Sequence, residues 1–597
     1  MTAVADPRPG TMCEVFAQTV ERMPEQVALR GADGDPVYTY AQYMSATADV
    51  AAALHACGVR RGDVVMLMFE NRPEFHITDA AVMHLGAAAC SVYNTSPRPD
   101  IAHIAVSSGA RVAVCEKQFA ARLVEAAPDL MVICTEAGIP GTRFIGDITR
   151  QDGFDFETHR SAVEADDVLT LIYTSGTTGK PKPVELTHRS MVAEIFLAAE
   201  VLDFQPGDRV PSALPMAHAA QRWGTHYNAM AFGLEVICIP DLTTLAAHLV
   251  RIQPDIWGTV PRILEKMVAA VRARLDGEQD PQKRALVDRA IAAGQRYAVA
   301  RAEGAPDAQL PEELVAERDA VEPVLAGLRQ AMGLGRVQWL MVGAAPTPPH
   351  IHGFLAGLGL DVVEVWGMSE LSSVATVNPA GRQRFGTVGQ ALRDVDIAIA
   401  EDGEILVRGP IVMRGYRGDA AATAAAFTSD GYLRTGDLGA LDDDGYLSIT
   451  GRKKEIIVNA AGKNISPVKV ESAVKAESSL IGAVMAVGDA RPFLTALVVL
   501  DADALAQYAV RRGLGDLSEV ELLSCTDVRN EVAEAVARAN NQLARVEQIK
   551  KCRILDRFWT PDSDELTPTL KLKRKAIAQK YRDEIEDLYV TAPKAAV

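Results

Sequence analysis

The chain has 597 residues, 48% hydrophobic and 23% charged, more than one core usually organises, so two or more domains with ample apolar surface are expected. Its formal charge of −17 and pI near 5.2 argue against a general nucleic-acid binder, and an anionic ligand would need positive charge gathered locally. Eight cysteines, at 13, 57, 90, 115, 134, 238, 525 and 552, show neither CxxC nor metal-ligand spacing and read as reduced, mostly buried thiols. Met1 to Gly10 carries no basic stretch followed by an apolar one, and no apolar run approaches the ~18 residues of a spanning helix. A soluble, cytoplasmic protein is therefore expected, with peripheral membrane contact left open.

From Thr11 to Gly109 helix and strand patterns alternate: an alanine-rich helix over Met44–Ala56, a buried strand over Asp63–Phe69, a helix from Asn71, and an apolar stretch over Ala87–Tyr93. Arg111–Cys115 and Met131–Cys134 read as strands around a helix at Lys117–Ala127. This alternation predicts a mostly parallel sheet covered by helices. Residues 146–167 read as an unpatterned acidic connection, and Val168–Tyr173 as a buried strand. His218–Arg222 opens a helix, Glu235–Ile239 and Ile256–Val260 are strands, and about residues 262–336 form a charge-rich helical insertion, read as a structural or membrane-facing lid. Val337–Val342 and Val362–Trp366 return to sheet; after Gly386 the short, turn-rich strands predict a β-rich subdomain. Residues 1–450 are assigned to a large N-terminal domain and 451–597 to a small, mobile α+β domain. The latter has strands at Ile481–Val487, Leu494–Leu500 and Cys552–Leu555, a helix over Val528–Ala544 and a basic helix after Pro568.

The run from Thr174 to Lys182 follows a strand and combines Gly176 and Gly179 with Ser175, Thr177, Thr178, Lys180 and Lys182. Glycines let backbone N–H groups face an anion, while hydroxyls and lysines add donors and charge, so the loop suits a polyphosphate. It is not a Walker A loop, since only Thr177 and Thr178 separate Gly176 from Gly179-Lys180, and Pro181 stands where that motif needs a hydroxyl.

Tyr173–Lys182, Trp366-Gly-Met-Ser-Glu370, Tyr432-Leu-Arg-Thr-Gly-Asp437, Gly451-Arg-Lys-Lys-Glu455 and Leu566–Arg574 occur in the order and approximate spacing of the adenylate-forming superfamily, which the chain resembles over nearly its whole length. Ser91–Ser96, Ala217–Arg222 and the helical insertion resemble most the bacterial long-chain fatty acyl-CoA synthetases. The resemblance implies an ATP-dependent acid–thiol ligase that joins a medium- to long-chain fatty acid to CoA through an acyl-adenylate, with Mg2+, releasing AMP and pyrophosphate. Two other readings stand beside it: acyl transfer to an acyl carrier protein, and a nucleotide-binding regulator without turnover.

The resemblance also implies roles. The 174–182 loop would hold the β- and γ-phosphates, Glu370 would ligate the metal, and Ser369 would donate to phosphate. Gly343, Ala344 and Ala345 would approach adenine, with Trp366 and Gly367 beside it; Trp366 stands where tyrosine is usual. Asp437 would accept from the ribose hydroxyls, supported by Arg452. Lys571 would bridge carboxylate and α-phosphate, and His218 would stand at the acyl gate. Lys454 would be the hinge, and Gly462 would leave room for pantetheine. Pro183, where glycine is usual, removes an N–H and restricts Lys182. A basic patch at Lys571, Lys573, Arg574 and Lys575 could otherwise be a solvated helix face.

Overall fold

The computed structural model describes residues 10–174, 180–303, 310–560, 563–567 and 571–590. Its largest sheet has eight strands in the order Gly415–Tyr416, Lys182–Thr187, Val168–Thr174, Ala88–Ser91, Val64–Met68, Val112–Cys115, Met131–Cys134 and Arg143–Phe144. Pairing is parallel from Val168–Thr174 to the Arg143 edge and antiparallel on the other side. The central strands are continuous apolar runs because helices cover both faces, leaving no solvent side on which a polar residue could alternate. A second sheet pairs Ile256–Thr259, Trp339–Val342 and Val362–Trp366 in parallel, then adds Thr376–Val377 and Gln390–Ala391 antiparallel. A four-stranded sheet joins Arg209–Ser212, Glu235–Cys238, Val27–Gly31 and Val37–Thr39.

The expected β-rich subdomain is an antiparallel sheet of Asp396–Ile399, Glu404–Arg408, Leu433–Leu441 and Leu447–Arg452. The expected helical insertion consists of three helices, Pro261–Asp276, Pro281–Glu303 and Glu312–Ala331. Beyond it, the C-terminal domain is built on Ile481–Val487, Leu494–Leu500 and Ile549–Ile554, packed by the helices Pro467–Glu477 and Thr526–Gln542.

Two local expectations change. The connection at 146–167 contains a short helix, Phe156–Ser161, whose start is fixed by Asp155 accepting from the Glu157 N–H at 3.2 Å; Asp155 stands at the N-cap position, where a carboxylate satisfies an otherwise orphaned donor. Arg574 is not on a solvated face. Its two Nη atoms donate to the two carboxylate oxygens of buried Glu471, each at 2.6 Å, and its Nε donates to Glu455 at 3.2 Å. Arg574→Ala would strand the Glu471 carboxylate in the core. It is expected to destabilise the C-terminal domain by about 3 kcal/mol, read as a lower urea midpoint, with Glu471→Gln partly relieving the loss in the double variant.

Among the described residues no helix is long and apolar enough to cross a membrane, and the cysteines are free, five of the eight being buried.

Candidate active site

The candidate site forms where the ends of four elements converge, and each is positioned for a local reason. Leu433–Leu441 and Leu447–Arg452 pair with Asp437 opposite Arg452, which sets Arg452 Nε 2.9 Å from Asp437 Oδ1. The turn before Asp437 is built by its own sequence: Gly436 has φ +72°, Thr435 Oγ1 donates to the Ile405 carbonyl at 2.7 Å, and the Asp437 N–H donates to Thr435 Oγ1 at 3.1 Å. Buried Glu404 accepts from the Gly436 N–H at 3.0 Å and pairs with Lys453 Nζ at 3.0 Å.

Trp366 ends the strand Val362–Trp366 and is buried, yet its indole Nε1 donates to Asp437 Oδ2 at 2.9 Å. The core reading holds: the ring packs in the main apolar cluster while its polar edge bonds the Asp437 carboxylate. Gly367 permits the chain to fold back, because a Cβ there would lie 2.0 Å from the Ser373 carbonyl oxygen. Ser369 starts a single turn, Ser369–Leu371, that carries Glu370. Glu370 is 6% exposed; Tyr416 OH donates to its Oε1 at 2.9 Å, and desolvation raises its pKa against the opposing effect of that bond and of Arg452 and Lys182. Lys182 Nζ lies 4.8 Å from the Tyr416 ring centroid.

Thr174 and Lys182 pair across the hairpin at the end of the two strands, and Lys180 is exposed beside it. Ser175, Gly176, Thr177, Thr178 and Gly179 lie outside the described residues. Pro183 is accommodated in the strand opposite Tyr173, and its carbonyl accepts from the Arg417 N–H at 2.9 Å.

Lys571 reaches this cluster from the C-terminal domain. Its N–H donates to Thr567 Oγ1 at 3.0 Å, and its carbonyl accepts from the Thr567 N–H at 2.8 Å, two bonds that fix its backbone. The residue keeps some exposure, but its ammonium is withdrawn from water; that desolvation, with Arg452 nearby, lowers the pKa to about 8 against the pull of Asp437 and Glu455. Across the site, desolvation and the Lys571 charge lower His218 to about 4. His218 Nδ1 accepts from the Ala220 N–H at 3.2 Å, capping the helix Ala219–Gln221. With Nδ1 occupied as an acceptor, the neutral ring carries its proton on Nε2, leaving a donor.

The helix after His218 does not run as a plain α-helix: it widens into a π-helical turn over Arg222–Tyr227. Arg222, fully buried, pairs with Asp79, donates to Ser91 Oγ at 2.6 Å and to Tyr227 OH at 2.8 Å, while His226 Nε2 lies 2.9 Å from Asp79. This buried network anchors the segment that carries His218.

At Gly343, Gly462 and Lys454 the structure shows the local backbone setting. At Gly343 the space a Cβ would need is filled by Val365, with Cγ2 at 2.9 Å and the carbonyl oxygen at 3.1 Å, so the glycine is demanded by the neighbouring strand. Ala344 follows with φ +70°, and Ala345 is exposed at the turn. Gly462 sits in the turn between Ile457–Val458 and Asn464–Ile465 with φ +72° and nothing within 4 Å of a built Cβ, so its backbone conformation, not crowding, requires glycine here. Lys454 is an exposed turn residue just past Arg452, whose carbonyl accepts from the Glu455 and Ile456 N–H groups.

Sequence reasoning missed Tyr416, Glu404 and Glu194. Glu194, fully buried on the helix His188–Ala198, accepts from the Val374 N–H and so ties the loop after Glu370 to the helix that follows the strand Lys182–Thr187. Its burial inside an otherwise apolar helix face was the available signal.

A fold of parallel sheets with a cationic and carboxylate cluster at the junction with a small C-terminal domain defines an enzyme that activates an acid with a nucleotide. The chain belongs to the AMP-binding enzyme family, which matches residues 16–417, with the family's C-terminal domain matching 454–593. It is 46% identical to FadD11 of Mycobacterium tuberculosis over 76% of this chain and 79% of that protein. It is 35% identical to the long-chain-fatty-acid–CoA ligase FadD15 of Mycobacterium bovis over 93% of each chain. Among solved structures, the o-succinylbenzoate–CoA synthetase of Bacillus subtilis in complex with ATP and a magnesium ion shares the fold with a TM-score of 0.66 at 21% identity, covering 94% of this chain and 98% of that one.

Proposed function

We propose that this protein activates a medium- to long-chain fatty acid with ATP as an acyl-adenylate and transfers the acyl group to CoA, releasing AMP and pyrophosphate. The observation that carries the mechanism is the convergence of Lys571 with Arg452, Asp437 and His218, groups from two domains. In the first step a carboxylate must approach the α-phosphorus of a triphosphate, so the chain's task is to hold two anions together and offset their repulsion. Lys571, between Asp437 and His218, would bridge the acid and the α-phosphate; neutral His218 would donate from Nε2 to the carboxylate. Asp437, oriented by Trp366 and Arg452, would accept from the ribose hydroxyls. Gly343 to Ala345 and Gly367 would border the adenine, Ser369 with Lys180 and Lys182 would face phosphate, and the loop at 175–179 would cradle the outer phosphates.

Mg2+ fits this donor set. Glu370 is a desolvated carboxylate whose raised pKa marks a place where added positive charge is favourable. Glu370 would hold the ion and the nucleotide would complete its shell. When bound, Mg2+ supplies neutralisation of phosphate charge. For the second step the thiol needs the face that Lys571 occupies; residues 451–597 would reorient about Lys454 and bring the turn at Gly462 towards the pantetheine. Relatives named as CoA ligases favour CoA over a carrier protein as acceptor.

Fatty-acid-dependent ATP–pyrophosphate exchange, followed by AMP release that requires CoA, tests the reading. Absence of both across acids of different length would remove it. The Lys571 environment adds a pH test with a definite sign. A lysine titrating near pH 8 is charged below that pH and neutral above it, so kcat/KM for adenylate formation is expected to fall about tenfold per pH unit above 8. Lys571→Arg, slower but permanently charged, is expected to lose that descending limb.

A further inference from the structure

Among the described residues, every apolar cluster has its members either at or before Ile449 or at or after Ile457. No shared hydrophobic core therefore fixes how the C-terminal domain sits on the N-terminal one, and its placement falls to polar contacts, which rearrange readily. Those contacts concentrate on one element of the helical insertion, the helix Pro261–Asp276. Arg262 Nη2 pairs with Asp501, and Arg262 Nη1 lies 3.0 Å from Glu265 Oε2. Glu265 accepts from Lys475 Nζ at 2.9 and 3.2 Å. Side-chain exposure is 14% for Glu265 and Asp501, and 26% and 27% for Lys475 and Arg262, so this network is well shielded from solvent. A neighbouring pair, Lys266 and Asp503 at 3.3 Å, is exposed and adds little.

Each end of the network is rigidly connected to the site. Arg262 is in the first turn of its helix, directly after the strand Ile256–Thr259, which pairs in parallel with Trp339–Val342, the strand leading to Gly343. On the other side, Asp501 is held in place by capping the helix Ala502–Arg512, its Oδ1 accepting from the Ala504 N–H at 3.0 Å. Lys475 is on the helix Pro467–Glu477, one turn from Glu471, and Glu471 grips Arg574, three residues after Lys571. Side-chain pairs Arg262–Glu265, Glu265–Lys475 and Glu471–Arg574, joined by the helix Pro467–Glu477 and by the three residues from Arg574 back to Lys571, thus link the site sheet to Lys571.

We propose that Arg262 and Glu265, with Asp501 and Lys475, form an electrostatic clamp that holds the C-terminal domain in the arrangement with Lys571 in the site, and that they are positioning residues for adenylate formation. The helical insertion, read from sequence as a structural or membrane-facing lid, then acts as the docking platform of the catalytic lysine. This rests on Lys571 acting in the first step. Because the clamp stabilises only that arrangement, weakening it slows adenylate formation and leaves thioester formation from an acyl-adenylate supplied ready-made unchanged or faster.

The test is a cycle of Glu265→Gln, Lys475→Met and the double variant in the full-length protein. Single-turnover acyl-adenylate formation is measured with ATP, Mg2+ and palmitate; acyl-CoA formation is measured separately from added palmitoyl-adenylate and CoA. Lys475→Met is expected to lower the first rate about fivefold, Glu265→Gln at least as much because it also weakens the contact to Arg262, and the double variant no further than Glu265→Gln, since the Glu265–Lys475 pair is lost in all three. The second rate and the melting temperature should hold. Unchanged adenylation in both singles, equal loss in both half-reactions, or effects that add in the double variant would overturn the clamp. Lys571→Ala run alongside separates the two ideas: if it abolishes adenylation while the clamp variants leave the rate unchanged, the clamp alone is wrong, and if it leaves adenylation intact, the reading of Lys571 fails first.

Discussion

Lys571→Ala is expected to lower the rate of acyl-adenylate formation by about a thousandfold, the upper end of what removing one preorganised charge donor from a desolvated site costs. The size follows from the setting. The ammonium has already lost its water, so it interacts with incoming anions through a medium of low effective dielectric, and no solvent need reorganise as charge shifts from carboxylate to phosphate. The other cations cannot replace it: Arg452 is committed to Asp437, and His218 remains neutral above about pH 4. The loss should fall on one half-reaction. With acyl-adenylate supplied, acyl-CoA formation by the variant should remain within a few fold of the unaltered protein, because the thiol step has no triphosphate to neutralise. A variant slow in both halves would mean that position 571 serves the fold and not the chemistry.

Asp437→Ala is the second large effect, expected to lower kcat/KM for ATP by about 10³-fold. Two hydrogen bonds from ribose hydroxyls to a carboxylate are each worth about 1.5–3 kcal/mol, and their loss together accounts for that factor. The structure adds a reason for the upper half of the range: Asp437 is 5% exposed, and its oxygens face Trp366 Nε1 and Arg452 Nε. Removing the carboxylate leaves an indole N–H and a guanidinium facing an empty space, so neighbouring groups lose their orientation as well. Trp366→Phe separates these contributions, since it deletes the indole donor and some packed volume and should cost about tenfold in kcat/KM for ATP, with the Asp437 carboxylate still present. Isothermal titration with AMP and steady-state kinetics in ATP would measure both; equal losses in the two variants would place the ribose contact elsewhere.

Much of the architecture is legible in the residues themselves. Val64–Met68 and Val112–Cys115 are continuous apolar runs between helical patterns, which only a sheet covered on both faces explains, and their parallel pairing follows. The site motifs are legible for a related reason: Gly367 and the Thr435-Gly436-Asp437 turn are local backbone solutions, and a local solution needs particular residue types at fixed spacing. Short-range patterning therefore determined, from sequence alone, the alternating α/β fold and the β-rich subdomain, while Glu370, Asp437, Arg452 and Lys571 were singled out by the resemblance of the motifs that contain them.

What depends on groups distant in sequence was decided only by tertiary structure. That Trp366 orients Asp437, that Tyr416 bonds Glu370, that Glu404 supports the turn before Asp437 and that Glu265 meets Lys475 are pairings across 71, 46, 32 and 210 residues. No spacing along a chain specifies such a contact, because the energy of a buried hydrogen bond or ion pair depends on where the fold places both partners and on how much water it removes from them. Gly343 and Gly462 show the same limit from the other side: sequence marked both glycines, but only the packing of Val365 against one, and the left-handed backbone of the other, revealed why each position needs a residue without a side chain.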